Sequence, residues 1–251
     1  KLRELMHTIA HAEDKLLHFF FLAAADFVLG PNTDYQARNV IGLAKANPDL
    51  AGKVVRMRQK AKMLLERFAG KAIHPVAGVT GGFAKPMTEE DRSDMLAQVQ
   101  ELLDFALFTM DFAKNTVFPQ YLDLIQSLGK IQTGFMGTVD DAGGLSLYEG
   151  KIRLMRPDGT YDDFAPEAYT EHIGEHVADH SYAKIPYAKS WQEGVSMDVD
   201  RPKGMYRSNC LARMNVVDSI STPKAQAELE EFRERFGRPA QATMLYHWAR
   251  L

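Results

Sequence analysis

The stretch from Gly70 to Pro86, GKAIHPVAGVTGGFAKP, constrains this chain more than any other. Proline lacks a backbone donor and glycine loses entropy in a helix, so no helix runs through it. Yet apolar residues recur at helical spacing on both sides. The chain must therefore pass between helices over an irregular crossing. The pair Gly81-Gly82 in that crossing implies a left-handed backbone, or a backbone that something else approaches closely. His74 stands just ahead of it. Residue types alone leave two readings open, a structural crossover and a binding surface.

The flanking runs carry their own punctuation. Lys1 to Leu29 reads as one helix, stopped by Gly30-Pro31-Asn32. Asp34 to Ala46 reads as a second, closed by Asn47-Pro48, and Asp49 to Ala69 as a third with Gly70 past its end. Thr88 and Asp91 form a shortened capping box opening a helix to about Asn115, and a shorter helix follows Pro119 to about Leu128. The texture changes after Gly129. FMGTVDDAGGLSLYEGKIRLMRPDGTYDDF splits short β-type runs with Asp-Ala-Gly-Gly and Pro-Asp-Gly turns, which predicts a small antiparallel meander. Pro166 is expected to start a histidine-rich helix. SYAKIPYAKS to SNCLARMN reads as extended or irregular, and Thr222-Pro223 opens a helix to Gly237. The expected fold is mainly α, with one small β excursion. It forms one segment over 1–251: helical over 1–128, a β meander over 129–165, helical and irregular over 166–251.

Composition removes several function classes. A net charge of −3 gives no global pull toward nucleic acid. The local basic run KVVRMRQKAKMLLER interleaves with apolar residues and reads as a solvated helix face. LLHFFFLAAADFVLG is the most apolar run, but it is too short to span a membrane and carries His18 and Asp26, so it reads as a core helix. The single cysteine, Cys210, excludes an intramolecular disulfide and any zinc or iron–sulfur site built from cysteines of this chain alone. It suits a reducing, cytoplasmic compartment. No phosphate loop, dinucleotide fingerprint or nucleophile elbow is present. KLRELMHTIA begins helical without a cap and QATMLYHWARL stops inside a helical pattern, so the chain reads as an internal piece of a longer protein.

EHIGEHVADH, Glu171 to His180, is the most tempting metal motif. On a helix, His172, His176 and His180 would share one stripe. His172-x-x-Glu175-His176 also matches the inverted zinc peptidase pattern, so a zinc hydrolase using these three residues is one reading. The cluster nominates no third ligand. Packing is therefore expected, with His176 and His180 beside an apolar stripe of Tyr169, Ile173 and Val177. His7, His11 and His18 on the first helix are expected to pack in the core likewise.

Eight stretches, taken in order, resemble the large subunit of a nickel–iron hydrogenase: KLRELMH, LHFFFLAAADFVLG, RNVIGLAKANPDLA, GKAIHPVAGVTGG, SYAKIPYAKS, LARMNVVD, TPKAQAELEEFR and YHWARL. They are most similar to the cytosolic branch coupling hydrogen to NAD, a deazaflavin or heterodisulfide reduction. The resemblance implies that family's long-helix bundle and reversible oxidation of H2. It implies a nickel–iron centre held by cysteines in two C-x-x-C motifs, one near each end of the full subunit. Neither motif is here. No catalytic residue or metal ligand thus carries over to this chain, and the fragment alone is expected to be inactive.

The resemblance implies two kinds of partner, an iron–sulfur small subunit with further electron-transfer subunits. It places His74, Gly81 and Gly82 near the partner's proximal cluster, the imidazole donating toward the cluster surroundings and the glycines allowing close backbone approach. Thr80 stands where the family's loop usually has proline, Lys15 where it usually has histidine, and His180 where it usually has an aromatic. A non-catalytic hydrogenase-like scaffold is the alternative from another class.

Overall fold

In the computed structural model, which describes residues 1–251, the periodic runs of the first half become helices. The chain divides into two units, Lys1–Tyr121 with Leu251, and Leu122–Arg250.

The first unit is helical. α1 (Leu2–Leu17) passes through a π-helical turn (His18–Ala23) into α2 (Ala24–Leu29), which stops at Gly30 with φ 90°. The π turn widens the helix where three phenylalanines follow one another. Phe19 meets Phe118 edge-on at 6.4 Å between ring centres, and Phe20 stacks on Phe105 at 5.6 Å. His7 is exposed rather than packed in the core, because it lies off the face that buries Ile9.

The expected helix from Asp34 begins only at Val40, giving α3 (Val40–Ala46). Asn39 accepts hydrogen bonds from the Ile41 and Gly42 amides, and Asp34 accepts one from the Gln36 amide at 2.8 Å. Short polar side chains here outcompete the helix for backbone donors. α4 (Pro48–Ala69) follows, capped by Asn47 and ended by Gly70 in the left-handed conformation. α5 (Glu89–Phe112) starts as read: the Thr88 hydroxyl accepts from the Asp91 amide at 3.0 Å and donates to the Asp91 carboxylate at 2.9 Å. It too ends in a π turn, Ala113–Val117. Leu64, Leu65, Phe68 and Met95 bury the α4–α5 crossing together with Ile9 and Ala77.

The second unit starts with α6 (Leu122–Ser127) and holds a four-stranded sheet. β3 (Gly134–Val139), β4 (Lys151–Met155) and β5 (Tyr161–Phe164) form the antiparallel meander. Arg153 of β4 is only 4% exposed. It donates to both Asp163 carboxylate oxygens (2.8 and 2.9 Å), to Asp218 at 2.7 Å and to the Val216 carbonyl at 3.0 Å.

The expected helix from Pro166 to His180 does not form. α7 (Tyr169–His172) makes one turn, and then β6 (Ile173–His176) pairs antiparallel with β7 (Ile185–Ala188). Long-range pairing overrides the local helical period. β8 (Tyr206–Arg207) joins β3 in parallel at the sheet's other edge. SNCLARMN is not irregular: α8 (Cys210–Val216) begins there, with Asn209 accepting from the Ala212 amide. α9 (Pro223–Phe236) and α10 (Leu245–Arg250) complete the unit.

Candidate functional site

The Gly/Pro crossing folds into a short hairpin. β1 (Gly78–Val79) and β2 (Gly82–Phe83) pair through Val79–Gly82, with Thr80 and Gly81 as the loop. Gly81 has φ 79°, the value a type II turn demands at its second central residue. The first central position favours proline and accepts threonine, which accounts for Thr80. The hairpin is anchored at its base. Ala77 is buried, its amide and that of Val76 donate to the Ala69 carbonyl, and Phe83 stacks on Phe68 at 5.0 Å.

The tip is different. A side chain at Gly81 or Gly82 would meet nothing within 4 Å in this chain. The turn conformation explains Gly81, but no internal contact explains Gly82. His74 is exposed and sits at φ 54°, a left-handed backbone that a non-glycine residue rarely adopts. Such strain often concentrates where a chain binds something. Ile73 is 64% exposed, Val76 53% and Val79 44%, so apolar side chains surround the histidine and the turn. His74, Gly81 and Gly82, the three residues the sequence singled out, all lie on this crossing between α4 and α5.

The histidine segment offers no comparable site. His172 lies flat on Phe164, with ring centres 3.9 Å apart and planes 3° apart. Glu175 pairs with Lys184 at 2.6 Å across the β6–β7 hairpin. Adjacent strand residues point to opposite faces, which separates Glu175 from His176. Tyr169 and Val177 are exposed, so the expected apolar stripe is not buried, and His180 stands exposed beyond the strand. No group of three or more His, Cys, Asp or Glu side chains gathers to hold a metal ion.

Cys210 is the one thiol, and it is buried on α8 with Arg213 Nη1 at 3.8 Å from its sulfur. A lone buried thiol does not fit a nickel–iron centre, which asks for several thiolates.

Two guanidiniums, the buried Arg153 and the half-buried Arg207, escaped the sequence reading. The carboxylates of Asp163 and Asp218 hold the Arg153 guanidinium well above its ordinary range. Arg207 has no carboxylate; burial pushes it down to about 10. It donates instead to Thr133, the Ile131 carbonyl and Gln241, tying three segments together. Apart from Asp163, their partners are distant in sequence, so no motif announces them.

No family model matches the chain. The chain is similar along all its length to a subunit of the vhu F420-non-reducing hydrogenase of Methanococcus voltae, with 42% identity over 252 residues that make up 58% of that protein. It is similar at 30% identity to the beta subunit of the NAD-reducing hydrogenase HoxS of Cupriavidus necator, covering 51% of it. Among solved structures, an NAD+-reducing NiFe-hydrogenase in the H2-reduced state superposes with a TM-score of 0.88 at 32% identity. That match covers 99% of this chain and 54% of the other. The Ni-Fe-Se hydrogenase of D. vulgaris Hildenborough shares the fold at a TM-score of 0.62 and 20% identity. The chain thus spans just over half the length of the relatives it matches. Sequence along the whole chain and fold agree in supporting a fragment of a nickel–iron hydrogenase large subunit.

Proposed function

We propose that the intact subunit catalyses the reversible oxidation of H2 in the cytoplasm. Electrons pass to an iron–sulfur small subunit, then on to further electron-transfer subunits. The observation that supports this reading is 42% identity along the whole of this chain to part of one hydrogenase subunit, together with a TM-score of 0.88 to another hydrogenase. No helix is long and apolar enough to cross a membrane. The nickel–iron centre is assigned to cysteines outside these residues, since the donors here do not fit it. This segment supplies scaffold and part of the interface between subunits.

Within that reading, the crossing is the contact with the small subunit. His74 donates a hydrogen bond toward the surroundings of the partner's proximal cluster, and Gly81 and Gly82 let the two backbones meet closely. The exposed Ile73, Val76 and Val79 support this, since a cluster of bare apolar side chains beside open glycines suits a protein interface. The test is the midpoint potential of the proximal cluster in the purified complex. His74→Ala is expected to shift that potential and slow electron transfer with the complex still assembled, and His74→Asn to restore part of the shift. An unchanged potential in both variants removes His74 from this role. The parent gene decides between enzyme and non-catalytic scaffold: C-x-x-C pairs on both sides of this segment mean an enzyme, and their absence means a scaffold.

A further inference from the structure

Two residues other than glycine hold a positive φ, Gln192 at 58° and His74 at 54°. That conformation sets Cβ against a carbonyl oxygen, so it costs L side chains free energy that glycine does not lose. Gln192 has a local reason for it. It caps the 3-10 turn Lys189–Trp191, and its amide donates to the Lys189 carbonyl at 3.1 Å.

His74 has no such reason. It precedes Pro75, and a proline ring drives the residue before it toward extended backbone, far from φ 54°. The loop of residues 70–75 is closed at its neck, where the Val76 and Ala77 amides donate to the Ala69 carbonyl at 3.0 and 3.1 Å. Beyond that neck, residues 71–75 make no hydrogen bond and no ion pair within the chain. Ile73 and His74 are exposed as well. A strained backbone persists only where its surroundings over-determine it. This chain supplies no such surroundings at His74.

We propose that the left-handed His74 is the docked state of a two-state loop, held in place by the iron–sulfur partner. Away from the partner, residues 70–75 relax to an extended backbone at His74, and the imidazole turns off the contact. Docking therefore aims the imidazole. The amides of Lys71, Ala72, Ile73 and His74 are the groups for the partner's carbonyls to grip, since none has an acceptor in this chain. The inference rests on the reading of the crossing as the small-subunit contact. It adds a conformational step to that contact.

The test uses the full-length large subunit and its iron–sulfur small subunit, purified separately and then mixed. His74→Gly, His74→Ala and His74→Val all lack the imidazole, and they differ in what a left-handed backbone costs them. Calorimetric titration gives each variant's Kd for the partner, and urea unfolding gives the stability of each free large subunit. His74→Gly should bind about fivefold more tightly than His74→Ala, the steric gain less glycine's extra entropy, and His74→Val should bind most weakly. The free His74→Gly subunit should be no more stable than free His74→Ala, because the free loop is not left-handed. Equal affinities for these two variants overturn the proposal. A free His74→Gly subunit more stable than free His74→Ala also overturns it, since the strain would then belong to the fold itself. Val79→Asp separates the two ideas: an affinity unchanged by that charge would refute the contact reading itself.

Discussion

The glycine crossing and the histidine segment both stood out in the sequence, one for its backbone demands and the other for its side-chain spacing, and they folded in opposite ways. At the crossing, the conformation follows from local turn chemistry: Gly81 takes φ 79°, and Gly70 ends α4 at φ 84°. In the histidine segment, the helical period of His172, His176 and His180 loses to a partner strand, Ile185–Ala188, that the local sequence does not announce. Motifs resting on a backbone requirement survive folding better than motifs resting on side-chain spacing. Spacing means something only if the element it assumes is formed.

Substitutions in the purified subunit, followed by urea unfolding, probe both kinds of region. The largest effect is expected at Arg153, in the sheet held by long-range contacts. Arg153→Met should cost about 3 kcal/mol, the low end for breaking a buried ion pair, because Asp163 and Asp218 keep some water. A loss under about 1 kcal/mol would mean the pairing of strands alone holds this unit.

Gly174→Ala comes next, at about 2 kcal/mol, because the new methyl group would come within 2.6 Å of the Tyr187 ring. A neutral result would show that the β6–β7 pairing is looser than described. Gly81→Ala should cost about 1 kcal/mol from its left-handed backbone, whereas Gly82→Ala should leave stability unchanged and weaken only partner binding. Equal losses at the two glycines would contradict the open hairpin tip. The smallest effect is a gain. Thr80→Pro should stabilise by about 0.5 kcal/mol by restricting the unfolded chain at a position whose turn suits proline.

The same buried cluster sets a pH dependence. Burial alone would raise the Asp218 carboxyl, but hydrogen bonds from Arg153 and Arg238 outweigh it and hold its pKa below the usual carboxylate value. A depressed folded pKa contributes stability that is fully present above the unfolded value of about 4 and is lost as pH falls through the folded value. Asp218→Asn should therefore flatten the acid limb of the stability profile. A limb of unchanged steepness would place the acid sensitivity elsewhere.

Much of the helical unit was legible because its ends are punctuated. Asn47-Pro48 and Gly70 bound α4, and Thr88 caps α5, each through groups within a few residues. The meander was legible from its turns. The π turns in α1 and α5 were not, since the aromatic packing around Phe19 and Phe118 comes from different helices. Asn209 was a cap signal for α8 that Pro202 and Gly204 upstream obscured. At the crossing, the break between helices and the turn at Gly81 were readable. The Arg153 cluster was not, because Val216 and Asp218 reach it from far along the chain.

If these residues are the middle of a working hydrogenase, its metal ligands lie outside them. The decisive assay is H2-dependent reduction of a viologen dye by the intact subunit, purified with its iron–sulfur partner. Turnover should survive His172→Ala and His176→Ala, and should disappear when the cysteines flanking this segment are replaced. Turnover undiminished without those cysteines, or none in a complex carrying both C-x-x-C pairs and its nickel, would refute the reading.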